Sequence, residues 1–170
     1  VVGNSGTGKT TLARTVAART GLPHVELDAV FWDAGWTHRD PADAQARLTA
    51  FLTGPGRDGW VADGNWNSTV GDALESADVL VWLDYPRRIT MRRVVGRTLA
   101  RGITRRELWH GNRESLANLF KRDPEQNIVR WAWTQHTAYR AQYAERAATD
   151  PRVLRLRSPR QARRWLDALG

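Results

Sequence analysis

Gly3-Asn4-Ser5-Gly6-Thr7-Gly8-Lys9-Thr10 fits the pattern G-x-x-x-x-G-K-[ST] and stands where a strand ending in Val1-Val2 hands over to a helix. Each residue type in it has a chemical use. The glycines permit backbone turns that aim the N–H groups of Asn4, Ser5, Gly6, Thr7 and Gly8 inward, Lys9 reaches the β- and γ-phosphates, and the Thr10 hydroxyl, followed by Thr11, can ligate Mg²⁺. ATP with Mg²⁺ is the expected ligand. A glycine-rich turn that only caps a helix is the bland alternative, and the strand-to-helix context outweighs it. Lys9 and Lys121 are the only lysines, so lysine at this position is not an accident of composition.

Phosphoryl transfer needs a metal held in place, a positioned acceptor, and cations over the transferring phosphate. Asp63, ending an apolar strand in the context W-V-A-D-G, is the preferred holder of a Mg²⁺ water shell opposite Thr10, and Asp84 at the end of the next apolar run competes for it. Either could instead cap a turn. Asp28 follows strand two, where a carboxylate can take the proton of an acceptor hydroxyl; Asp33 is the second acid of that loop. Phe31, Trp32, Trp36 and Trp66 lie around them and read equally as pocket wall or as core.

On a helix over 87–100, Met91, Val95, Thr98 and Leu99 share the face expected to pack, which leaves Arg93 and Arg97 expected in solvent. Arg101, Arg105, Arg106 and Arg113 lie in or beside an irregular stretch with Gly102 and Gly111 as hinges, and are expected to close over the γ-phosphate as a lid. His24, His38, His110 and His136 show no metal-ligand spacing and are read as structural or as incidental liners. Ser158-Pro159 forms a tight loop that could face a nucleotide base.

The elements that must position these residues follow from periodicity. A helix over 10–19 stops at Gly21; His24 to Leu27 reads as a strand; Asp40-Pro41 opens a helix over 41–52 closed by Gly54-Pro55-Gly56. Strands follow over 60–62, 79–83 and 152–156, and a helix over 159–169. Strands alternating with helices, with the chemically useful residues just past the strand ends, predict an open parallel α/β sheet with its ligands along the carboxyl edge. One domain over 1–170 is expected, with the stretch 101–123 as an insertion.

At 41% hydrophobic and 26% charged, 170 residues suffice for one core. The absence of Cys excludes disulfides, thiolate metal sites and a cysteine nucleophile. No apolar run approaches a membrane span and no signal segment opens the chain, so a cytoplasmic location is expected. The chain starts without Met inside what should be strand one, and a few residues are expected upstream. Charge is uneven: residues 1–85 carry 6 Lys and Arg against 11 Asp and Glu, net −5, whereas residues 86–170 carry 20 against 7, net +13. A phosphate-clamping lid, a nucleic-acid surface, or a solvated arginine face would each account for the basic half.

The motifs together resemble the adenylate-kinase-like P-loop kinases, and within them the group labelled DNA topology modulation proteins. The resemblance is carried by G-N-S-G-T-G-K-T-T at 3–11, L-D-A-V-F-W at 27–32 with Gly35-Trp36, D-G-N-W at 63–66, L-D-Y-P at 83–86 and E-L-W-H-G-N-R-E-S at 107–115. It implies a three-layer P-loop NTPase fold with five parallel strands in order 2-3-1-4-5, an acceptor-binding helical region near 37–55 and an arginine-rich helical lid near 101–123. It also implies ATP and Mg²⁺ at Gly3 to Thr11 and an adenine contact near Arg157 to Arg160, including Ser158. Adenylate kinases place an arginine soon after the D-G of strand three to hold the acceptor's phosphate; here Asn65, Trp66 and Asn67 follow, which argues against AMP. The expected activity is transfer of the ATP γ-phosphate to a small molecule or nucleotide. A nucleotide-gated nucleic-acid-binding regulator and an ATPase switch are the alternatives.

Overall fold

In the computed structural model, residues 1–66 and 75–169 are described; Asn67 lies outside them. Five short strands, β1 (Val2–Gly3), β2 (His24–Glu26), β3 (Val61–Asp63), β4 (Leu80–Leu83) and β5 (Val153–Leu156), alternate with helices α1 (Lys9–Thr20), α2 (Leu27–Phe31), α3 (Pro41–Thr53), α4 (Arg87–Thr104), α5 (Ile128–Thr149) and α6 (Pro159–Asp167). The pairings among these five strands are parallel. The pairings form a three-stranded sheet in order β1-β4-β5 and a two-stranded sheet β2-β3. One continuous five-stranded sheet was the expectation, and the pairing does not give it. Among the described residues the two sheets are joined by two backbone bonds at one residue, from the Val1 nitrogen to the Ala62 carbonyl (2.6 Å) and from Gly64 N–H to the Val1 carbonyl (3.2 Å).

Register brings the useful residues to one edge. Gly3, Leu83 and Leu156 lie side by side, as do Glu26 and Asp63, so the loop after each strand opens on the same side. The period-2 alternation of β4 sends Val81 and Leu83 into a core with Leu12 of α1 and Ala162 of α6, and Trp82 into a core with Val2 and Tyr143 of α5. Helices therefore cover both faces, as a parallel sheet requires. A third cluster, Leu27, Val30, Phe31, Ala44 and Leu48, packs α2 on α3. Asp40 caps α3 by accepting from Ala42 and Asp43 N–H, with Pro41 in the first turn, as the sequence predicts.

Three local expectations change. Residue 27 begins helix α2 instead of continuing β2. Helix α4 runs past Ala100 to Thr104 and ends on Arg105 in the left-handed region (φ 47°), so Arg101 belongs to its last turn. The stretch after it is not a helical lid but three single 3₁₀ turns, Trp109–Gly111, Leu116–Phe120 and Pro124–Gln126, leading into α5. Among the described residues no helix is long and apolar enough to cross a membrane.

Candidate active site

The phosphate loop owes its shape to glycines at close approaches. Gly6 (φ 83°) packs on α4 so tightly that an added Cβ would stand 2.5 Å from Val94 Cγ2 and 2.7 Å from the Thr90 carbonyl. Gly8 (φ 94°) is the left-handed N-cap from which α1 departs. Buried Asn4 is a strut: its Nδ2 donates to the Ala132 carbonyl of α5 (2.6 Å) and its Oδ1 accepts from Ser5 N–H (2.8 Å). Thr7 Oγ1 donates back to the Asn4 carbonyl (2.8 Å), closing the loop on itself. Ser5, Gly6, Thr7, Gly8, Lys9, Thr10 and Thr11 line a cleft of about 2690 Å³ along the carboxyl edge, whereas Asn4 lies behind it.

Lys9 Nζ reaches the Asn4 carbonyl (3.3 Å). Burial holds its pKa below the usual lysine value, opposed by the charges of Asp28 and Asp63. Thr10 Oγ1 donates to Asp63 Oδ2 at 2.6 Å, and His24 Nε2 lies 2.7 Å from Asp63 Oδ1. Asp63, 5% exposed, is thus held at both oxygens. A hydroxyl and a carboxylate side by side at the loop are the hard oxygen donors Mg²⁺ takes when substrate phosphates and water complete its shell. Among the described residues no three or more His, Cys, Asp or Glu side chains converge as a metal cage. Asp84 is committed elsewhere: Arg155 grips its Oδ2 through Nε (2.9 Å) and a terminal nitrogen (2.6 Å), and Arg140 approaches its Oδ1 (3.2 Å).

The arginines distribute themselves differently from expectation. The buried face of α4 is Thr90, Val94 and Thr98, with Val95 and Leu99 exposed, because the helix turns its narrow side to Gly6. This rotation sets both Arg93 and Arg97 on the cleft; Arg93 remains exposed, as expected, whereas Arg97 is partly buried, correcting its solvated placement. A terminal nitrogen of Arg93 donates to the Thr7 carbonyl (3.0 Å), bracing the loop from outside. The Arg97 Nε is buried and unpartnered among the described residues; burial and Arg101 lower the side chain's pKa, while Glu114 and Asp28 oppose them. Sequence periodicity missed this residue, and the signal that could have found it is spacing, since Arg93 and Arg97 flank the Gly6 contact at Val94.

In the insertion, Arg101 donates to Glu114 (2.6 Å) and Arg113 to Glu107 (3.4 Å). Arg106 lines the cleft, whereas Arg105, at the end of α4, does not. Ser158 is the N-cap of α6, its Oγ accepting from Gln161 N–H (3.2 Å), and the neighbouring Pro159 lines the cleft.

Asp28 opens α2 just past β2, inside the cleft. Its Oδ1 accepts from the Trp66 indole N–H (2.7 Å). Burial raises its pKa above the usual carboxylate range, outweighing that bond and the Lys9 charge. Trp66 stacks on Phe31 (centroids 4.7 Å apart), and Trp32 stands edge-on to both Trp36 and Trp66. These rings form both core and wall: Phe31 is buried in the α2–α3 cluster, and Trp32, Trp36 and Trp66 face the cleft.

A family model described as the ATPase family associated with various cellular activities (AAA) matches residues 1–52, the span from the phosphate loop through most of α3. None of the curated proteins matches the chain. The matched segment contains the phosphate loop and carries the G-x-x-x-x-G-K-[ST] pattern that P-loop NTPases use to hold nucleotide phosphates.

Proposed function

We propose that the protein is an ATP- and Mg²⁺-dependent phosphotransferase of the adenylate-kinase-like type, moving the γ-phosphate of ATP to a small molecule. The observation that carries this reading is Asp28, a cleft carboxylate fixed by Trp66 and electrostatically coupled to Lys9 across from the phosphate loop. A switch that only hydrolyses ATP has no use for aromatic walls and a held carboxylate continuing the cleft beyond the phosphate loop. The region 37–55 supports the acceptor side through the α2–α3 cluster, and the insertion at 101–123 roofs it.

In this mechanism the loop N–H groups and Lys9 hold the β- and γ-phosphates, and Arg97 meets charge that develops on the γ-phosphoryl oxygens. Thr10 and Asp63 would hold Mg²⁺, which when bound neutralises phosphate charge. Asp28 accepts the proton as the acceptor oxygen attacks the γ-phosphorus and the bond to the bridging oxygen breaks, releasing ADP. A carboxylate raised by burial is the stronger base for that step. Arg93 acts on the loop, not on the phosphate, by fixing the Thr7 carbonyl outward.

Phosphorylation of a metabolite pool with labelled ATP, read by mass, tests the assignment. A labelled product that disappears in Lys9→Ala supports it; release of inorganic phosphate alone returns the protein to the ATPase class.

A further inference from the structure

The insertion after α4 is tied down on the acceptor side of the cleft at several points. Asn112, 4% exposed, accepts from Trp36 N–H through Oδ1 (2.9 Å) and donates to the Asp33 carbonyl through Nδ2 (2.8 Å). The Trp36 indole donates to the Arg113 carbonyl (3.3 Å), His110 Nε2 lies 2.8 Å from the Ala29 carbonyl, and the Trp109 indole donates to Glu26 Oε2 (2.9 Å). Trp36 (φ 58°) and His110 (φ 56°) hold left-handed conformations unfavourable for side chains of their size. Such strain persists only where contacts over-determine it, and here it sets Trp36 and Trp109 edge to face at 6.4 Å along the cleft wall.

What this chamber offers a ligand is ring faces and carboxylate oxygens. The indole N–H groups of Trp36, Trp66 and Trp109 are already engaged, by Arg113, Asp28 and Glu26. Two guanidiniums there are paired, Arg14 with Glu26 and Arg101 with Glu114, and Arg97, which is left with an unpartnered Nε among the described residues, has its charge set against both Glu114 and Asp28. Glu114 Oε2 is buried with no partner among the described residues, and Glu114 faces the cleft. An unmet buried acceptor is a desolvation cost that a ligand O–H or N–H would recover. A phosphate monoester does the reverse, bringing negative charge and acceptor oxygens to a wall that already has both. Arg47 and Arg106 line the cleft without a carboxylate partner among the described residues, but both are exposed, where solvent weakens their hold on an anion.

The geometry points to an acceptor that is a polyhydroxylated ring without a phosphate group, sugar-like or cyclitol-like, seated between the indoles of Trp36, Trp66 and Trp109 with its hydroxyls donating to Glu114 and Asp28. This rests on the kinase reading and narrows its acceptor. The apolar C–H face of such a ring suits indole, and its hydroxyls supply the donors the wall lacks. One hydroxyl loses its proton to Asp28 as its oxygen bonds the γ-phosphorus, and ADP leaves.

The test is calorimetry on the full chain saturated with Mg²⁺ and a non-hydrolysable ATP analogue, titrated with glucose, myo-inositol and glucosamine, with glucose 6-phosphate, and with AMP. At least one unphosphorylated ring is expected to bind about tenfold or more tighter than glucose 6-phosphate and AMP. Glu114→Gln, which keeps an oxygen for Arg101 but adds amide donors to the wall, should narrow that ratio at least about threefold, and Trp109→Leu should weaken ring binding without favouring AMP. Preference for AMP or glucose 6-phosphate, binding of none of the three rings, or a Glu114→Gln protein that loses thermal stability while keeping the ratio each overturns the inference. If the ATP analogue itself fails to bind, the kinase reading falls first; if a ring binds but no labelled product forms from ATP, that reading fails while the polyol site stands.

Discussion

The two ends of the cleft differ in which sign of charge is left unanswered. At the phosphate end the open groups are cationic: among the described residues Lys9 has a carbonyl oxygen as its hydrogen-bond partner and no ion pair, and Arg97 has a buried nitrogen without a partner. At the acceptor end the arginines are paired, Arg14 to Glu26 and Arg101 to Glu114, and the oxygens left without an ion pair are carboxylate oxygens of Asp28 and Glu114, which feel the Lys9 and Arg97 charges from across the cleft. A cleft that holds positive charge at one end and negative at the other orients a substrate pair before any motion occurs. It also places destabilising burial of charge where chemistry is to happen, a common stability–activity exchange.

Neutralising one group at each end is the sharpest way to break this comparison. Asp28→Asn should lower kcat by about 10²- to 10⁴-fold and yet raise Tm at neutral pH. The sign follows from linkage: burial raises the folded pKa of Asp28 above its unfolded value, so the folded state binds the extra proton and stability falls as pH rises through that folded pKa. The Tm gap between Asp28→Asn and the parent should therefore open above the ordinary carboxylate range and close in acid. The acid limb of kcat/KM should have its midpoint above that range and vanish in the variant. Arg97→Met at the other end should lower kcat by about 10²- to 10³-fold and should not lower Tm, since burial already disfavours its charge. A variant at either end that loses Tm along with activity would mean its charge is a structural partner, and the polarity of the cleft would have no functional content.

A second pair separates a functional carboxylate from a structural one. Asp63→Asn should raise the Mg²⁺ concentration needed for nucleotide binding and turnover about tenfold or more with little change in Tm, because His24 and Thr10 can still bond an amide. Asp84→Asn should leave Mg²⁺ dependence alone but cost about 3 kcal/mol of stability, since it strips two guanidiniums of their counter-charge. Reversal of these outcomes would move the metal to the end of β4.

Much of this was legible in the residues. The phosphate loop, the strand end carrying Asp63 and the Asp40-Pro41 cap follow from local rules about glycine, carboxylates and helix starts, and they stand where those rules put them, whereas Asp28 falls in the first turn of α2, just past a shorter β2. What local rules missed is tertiary. Helix α5 buries Ala132, His136 and Tyr143, a face too small and polar to show a periodic signal, and it reads from sequence as nothing in particular. Helix α4 presents two plausible faces one residue apart, and the choice falls to Gly6, whose missing side chain admits Val94. That rotation set Arg97 partly buried in the cleft and left Arg93 exposed at its edge. The continuous sheet failed for a similar reason, since a single residue, Val1, bridges the pieces.

The smallest expected effect tests the comparison from its quiet side. Arg105 and Arg106 were natural candidates for a lid over the γ-phosphate, being adjacent, basic and beside a helix end. Arg105 caps α4 with its backbone in the left-handed region and lies off the cleft, and Arg106 is an exposed side chain on its wall. Exposed guanidiniums act through solvent and contribute little unless they are brought down onto a fixed partner. Arg105→Ala with Arg106→Ala should therefore change kcat less than about threefold, against the 10²-fold or greater loss at Arg97. The double variant should also leave the KM for ATP almost unmoved, since the phosphate end is built from the loop and α4. A loss at the pair equal to that at Arg97, appearing in kcat and not in KM, would require the stretch after α4 to swing onto the γ-phosphate during turnover. The cationic end of the cleft would then be completed from the acceptor side, and the separation of charge between the two ends would belong only to the resting protein.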